Sequence, residues 1–121
     1  MMRERVRFVE HQSRILLLLD FSQCSAEEVL QLIGDAEKII RVQPPRSLLT
    51  LTDVTGTRYN LDVTQAMKDF THANKPHIRA AAVVGIDGLK KIVYEAVMRF
   101  SERNVPVFPD IETAKDWLVA Q

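Results

Sequence analysis

Cysteine occurs once in 121 residues, as Cys24, so no internal disulfide framework can form and no cysteine-rich zinc site is available. Glycine is scarce as well, with four residues, and Gly85-Ile86-Asp87-Gly88 lacks the Gly-Lys-Ser/Thr end that a phosphate loop requires. Neither sign of charge dominates. Sixteen Lys and Arg balance sixteen Asp and Glu, which removes the basic field that a nucleic-acid partner would need. The aliphatic run Ile15-Leu16-Leu17-Leu18-Leu19 is far short of the roughly twenty residues that cross a bilayer. It meets Asp20 and a polar segment where a signal peptide would carry small residues and a cleavage site. His11, His72 and His77 are scattered, with no His-x-x-x-His or Cys-His spacing to hold a metal. These absences set the expectation of a cytoplasmic, bacterial-type protein with no cofactor, no metal, no nucleic-acid partner and no stable membrane insertion. The unpaired Cys24 agrees with a reducing compartment.

What the chain does have is the composition of a packed domain, 46% hydrophobic and 26% charged. Its length implies one domain over residues 1–121, burying about two-thirds of the unfolded surface. Apolar runs of strand length alternate with stretches of helical period. Residues 6–9 alternate weakly, Glu10-His11-Gln12-Ser13 reads as a turn, and residues 14–21 form the second arm of a hairpin. The consecutive aliphatics of that arm imply burial on both faces. Ser25-Ala26-Glu27-Glu28 has the form of a capping box, followed by the stripe Ala26, Val29, Leu30, Ile33, Ala36 and Ile40. Pro44-Pro45 ends that helix, and a third strand occupies residues 47–54.

A second helix starts near Asn60 or Asp62, the latter able to form a capping box with Gln65, and its stripe is Val63, Ala66, Met67 and Phe70. Residues 78–86 form a strand despite three alanines, since Pro76 and Gly85 bound it. Leu89, Ile92, Val93, Ala96, Val97 and Phe100 match a third amphipathic helix with this stripe facing inward. That assignment leaves Tyr94 and Met98 as an outer ridge, open either to covering the sheet edge or to self-association, and puts Lys90, Lys91, Arg99 and Arg103 toward solvent. Val105-Pro106-Val107-Phe108 is an edge strand. Asp110 caps a last helix whose inner residues are Ile111, Ala114, Trp117 and Leu118. The order is β-β-α-β-α-β-α-β-α, an α/β fold with a mixed, mainly parallel sheet covered by helices.

This order and its core motifs resemble the SpoIIAA-like branch of the STAS superfamily, the sulphate-transporter and anti-sigma-factor-antagonist group. The resemblance rests on Leu16-Leu17-Leu18-Leu19-Asp20-Phe21-Ser22, on Arg79-Ala80-Ala81-Ala82-Val83-Val84-Gly85, on the helix through Phe100, on Val105-Pro106-Val107-Phe108 and on Ala114-Lys115-Asp116-Trp117-Leu118. It covers nearly the whole chain and is weakest over residues 1–13. In anti-sigma-factor antagonists the second crossover helix opens with an Asp-Ser-Ser-Gly-like segment whose serine a partner kinase phosphorylates. The matching stretch here, from Asp53-Val54-Thr55-Gly56-Thr57-Arg58 through Thr64, has threonines but no such segment. The resemblance therefore implies a regulatory or binding module without that switch. These motifs are mostly core patterns, which specify fold more than function.

In a parallel sheet the carboxyl ends of strands and the amino ends of the following helices share one edge. That edge collects Asp20 and Ser22, then Asp53, Thr55, Thr57, Arg58, Tyr59 and Asn60, with Asp87 after the fourth strand. Free helix N–H groups there favour an anion or an acidic partner group. The same residues are also ordinary caps and turn formers. Arg58 and Tyr59 are of the types that dominate protein interfaces. Asp20 and Asp53 also admit a metal or phosphoryl site of the response-regulator kind, although neither the paired acids nor the lysine of such receivers is present. Cys24 precedes a helix, but no neighbouring histidine activates it. No nucleophile–base pair is visible. The expected function is a non-catalytic STAS-like module recognising a protein or a small apolar or anionic ligand, with a homodimer as a further expectation. An apolar-ligand or lipid carrier, holding its cargo between sheet and helices, is the alternative.

Overall fold

The computed structural model describes residues 4–121. They form β1 (Val6–His11), β2 (Arg14–Asp20), α1 (Ala26–Ile40), β3 (Leu48–Asp53), α2 (Leu61–Asn74), a 3-10 turn (Lys75–His77), β4 (Ile78–Val84), α3 (Lys90–Ser101), β5 (Val107–Phe108) and α4 (Ile111–Val119). The element order is the one the sequence implies, and the differences lie at ends and faces. The hairpin turn is only Gln12 and Ser13, at φ 50° and 66°. Two successive left-handed residues match the twist of the flanking strands, so Glu10 and His11, expected in the turn, extend β1 instead. The second to fifth strands are each shorter than expected. Pro106, expected in β5, precedes it and accepts a hydrogen bond from the Val83 N–H through its carbonyl.

The strands lie in the order β1-β2-β3-β4-β5, with β1 antiparallel to β2 and the rest parallel. Each crossover advances one strand in the same direction. Right-handed connections then place α1, α2 and α3 on one face, with α2 packed between its two neighbours. The chain leaves β5 and lays α4 alone across the other face. There Arg14 Nη1 donates to the Val119 carbonyl at 2.9 Å, and His11 Nε2 lies 2.8 Å from Asp116 Oδ1. Alternation along β2 sends Leu17 and Leu19 to the three-helix face and Leu16 and Leu18 to α4. Its aliphatic run is continuous because both faces are covered.

Helix α1 opens with the expected capping box, the Ser25 hydroxyl accepting from the Glu28 N–H and the Glu28 carboxylate accepting from the Ser25 N–H. Val29, Ile33, Ala36 and Ile40 are buried, whereas Leu30 is 40% exposed and Leu32 and Ile39 pack at the flank in its place. The cap of α2 is Asn60, whose Oδ1 accepts from the Val63 N–H at 2.8 Å, and not Asp62. Val63, Met67 and Phe70 are buried as expected. Asp110 caps α4, and Ala114 and Leu118 are buried with Ile111 and Trp117 packed beside them.

Helix α3 corrects the sequence reading. Leu89, Ile92 and Phe100, expected inward, are 82%, 66% and 48% exposed. The face turned to the core carries Val93, Tyr94, Val97, Met98 and Ser101. Two contacts fix this rotation: the Tyr94 hydroxyl donates to the Val105 carbonyl, and the Val105 N–H donates to Met98 Sδ at 3.3 Å. The ridge of Tyr94 and Met98 is therefore turned toward the core and partly buried, with its polar atoms bonded to Val105. No helix among the described residues is long and apolar enough to cross a membrane.

Candidate functional site

At the carboxyl edge of the sheet, two neighbouring strands end in the same device. Asp20 Oδ1 accepts from the Ser22 N–H at 3.0 Å and from its hydroxyl at 2.5 Å. Asp53 Oδ1 accepts from the Thr55 N–H at 3.0 Å and from its hydroxyl at 2.7 Å. Asp20 and Asp53 are register partners, so the two turns stand side by side. Such Asp-x-Ser/Thr turns follow from the short side chains, which bond their own backbone two residues on. Arg5 Nη1 donates to the Ser22 carbonyl at 2.7 Å and sits 3.7 Å from Asp20 Oδ1.

The remaining sequence candidates separate into different roles. Thr57 is buried, and its hydroxyl donates to the Phe21 carbonyl at 2.7 Å, pinning one crossover loop to the other. Asn60 is committed as the α2 cap. The side chain of Arg58 is exposed, while its N–H donates to the Cys24 carbonyl. Tyr59, expected beside it on the surface, instead turns its ring toward the core. Loss of hydration pushes the Tyr59 phenol up to about 12. Asp87 is exposed and pairs with Lys90 Nζ at 3.3 Å. Among the described residues no group of three His, Cys, Asp or Glu side chains is placed to hold a metal ion. Cys24 is wholly buried, and that burial pushes its thiol up, an effect the Arg5 charge opposes. It has the character of a core residue and not of an activated nucleophile.

A concave site lies elsewhere, between the sheet and helices α2 and α3. Its floor is made by Thr50, Thr52 and Ala81, which share the three-helix face of β3 and β4. Small side chains there, under larger ones such as Met67, Phe70 and Val97 from the helices, leave a cavity of about 100 Å3. It runs from Tyr59, Ile86 and Lys90 at the carboxyl ends of the strands to Asn74, Ile78 and Arg103 at the amino ends. The walls are mainly apolar, the usual make-up of a small-molecule site with a few placed polar groups.

Three of those polar groups stand out. Thr50 is 4% exposed and Asn74 6%, both line the cavity, and neither side chain hydrogen-bonds another described residue. Arg103, expected on the solvent side, is partly buried, because Glu102 caps α3 in a left-handed conformation at φ 56° and turns the chain back toward the sheet. Its Nη1 donates to the Thr71 carbonyl at 3.3 Å. No carboxylate among the described residues lies within ion-pair distance of it. Loss of hydration lowers its pKa from the usual arginine value. In the sequence, Leu48-Leu49-Thr50-Leu51-Thr52 already showed two hydroxyls at strand period on one face. Nothing local announced Asn74, which read as a helix stop, or Arg103, which read as part of a solvated face.

The sheet order, the single antiparallel edge strand and the three-plus-one helix arrangement define a SpoIIAA-like α/β fold. A solved structure from Shewanella loihica PV-4 shares it, an uncharacterized protein of the DUF3478 family described as having a SpoIIAA-like fold. The similarity has a TM-score of 0.68 over 93% of this chain and 91% of that one, at 16% sequence identity. At that identity the likeness is one of fold. No protein-family model matches the chain, and no curated protein matches it.

Proposed function

We propose that this protein is a non-catalytic binding module that takes a small, mainly apolar ligand into the cavity between its sheet and helices α2 and α3. The observation that carries this reading is a mainly apolar cavity lined by two low-exposure polar residues, Thr50 and Asn74, whose side chains hydrogen-bond no other described residue. A few placed polar groups in a mainly apolar space are what fix a small ligand's orientation, and these two are free to bond one. No paired nucleophile and base accompany the cavity, and the Asp20 and Asp53 carboxylates each bond their own turn. A phosphoryl switch in the crossover loop has little support, since Thr57 is buried and the Thr55 hydroxyl is held by Asp53. The exposed Arg58 remains the candidate contact for a protein partner on that loop.

Native mass spectrometry of freshly purified protein tests the cavity reading. The wild type is expected to carry a small molecule that Ala81→Leu, with its floor filled, does not. The variant should melt no lower than the ligand-free wild type, because the leucine occupies space already present. A melting loss of the size seen on overpacking a full core, roughly 1–3 kcal/mol, would show that the space is not there.

A further inference from the structure

The charge of the cavity lining is lopsided. It contains two cations, Lys90 and Arg103, and no Asp or Glu. Lys90 has a partner in Asp87, on the outer side of the loop before α3. Arg103 has one carbonyl and no acid, although a guanidinium carries five N–H donors in a planar fork. A partly buried cation without a counterion gains from pairing, and the fork matches a carboxylate in two parallel hydrogen bonds. Arg103 and Asn74 both line the cavity, and the Thr71 carbonyl that holds Arg103 is one turn before Asn74 on α2, which puts the two residues at the same end of it. The rest of the wall, including Leu19, Phe70 and Val83, is apolar.

We infer that the ligand is a short-chain carboxylate, its head bound by Arg103 with help from Asn74 and its tail lying along the apolar wall toward Tyr59. This inference rests on the cavity being the binding site. The volume sets the size: a space of about 100 Å3 is smaller than the cavity of about 150 Å3 that accommodates benzene. A tail of about four carbons fits such a space. Thr50, on the floor beneath, offers a hydroxyl that can donate to the same head.

The test compares pentanoate with pentanamide, which has nearly the same shape and no charge, by amide chemical-shift titration of the full chain. Pentanoate should bind at least about tenfold more tightly, the margin of a charge-assisted hydrogen bond. In Arg103→Met that preference should shrink to within about twofold. In Asn74→Asp it should reverse, since the new carboxylate takes the place of the ligand's, and the unliganded variant should melt above the wild type because Arg103 gains its counterion. If Arg103→Met does not fold, the Asn74→Asp result decides. Equal binding of pentanoate and pentanamide by the wild type would overturn the carboxylate assignment and leave the cavity reading standing. Failure of both to shift cavity-lining amides at saturating concentration would overturn the two together.

Discussion

At the scale of single residues, the chemistry of this chain lies in which polar groups are satisfied and which are not. Ser22, Thr55, Thr57 and Asn60 are all engaged within the protein, while Thr50 and Asn74 are not. Tyr59 links the two regions, following the crossover loop and walling the cavity. Its phenol titrates near 10 when unfolded and at about 12 when folded. The folded pKa is raised, so the associated stability is complete below pH 10 and is lost as pH rises through about 12. Tyr59→Phe should remove this part of the alkaline loss. Spectrophotometric titration should show a phenol ionising at about 12 in the wild type that is missing from the variant. A Tyr59 phenol ionising near 10 would mean the ring is solvated.

At the scale of elements, the sharpest consequence concerns α3. Both of its faces carry apolar side chains, so a helical period can be found along either. The tertiary contacts of Tyr94 and Met98 with Val105 decide between them. Val97→Ala should cost about 2–3 kcal/mol in denaturant unfolding, from lost burial plus the space left behind. Ile92→Ala should cost less than about 0.5 kcal/mol, since the side chain is mostly in water. The reverse ranking would show the helix turned the other way. Elements of this kind were legible wherever one local signal sufficed, as in the Ser25 capping box or the proline and glycine that bound β4. The α3 face was not, because the chain segment that selects it follows the helix and lies across a turn. Of the candidate site, the reading of the crossover loop reached Tyr59, while the Asp20 and Asp53 turns it also marked lie outside the cavity. The polar interior was not legible, since the positions of Asn74 and Arg103 depend on how two connections return to the sheet.

At the scale of the whole molecule, the strand order repeats the chain order. Every strand pairs with the one before it, and only α4 reaches back from the last strand to the first hairpin. This gives the domain two kinds of contact with very different loop-closure costs. Strand pairings close across a hairpin turn or one crossover, so the sheet can grow one neighbour at a time. The docking of α4 on the first hairpin joins residues about a hundred positions apart, as in the Arg14–Val119 hydrogen bond with its separation of 105. Such a contact is entropically expensive until the sheet exists. Folding should therefore proceed through a transition state in which β2, β3 and β4 are paired and α4 is still loose. Leu118→Ala, at a wholly buried position, should cost roughly 2–5 kcal/mol, and stopped-flow kinetics should place most of that cost in faster unfolding. Leu17→Ala, at the sheet centre on the face away from α4, should instead slow folding. A Leu118 variant that folds slowly and unfolds at the wild-type rate would put α4 in the nucleus. Otherwise α4 acts as a latch. It contributes little to how fast the domain assembles and much to how long it stays assembled.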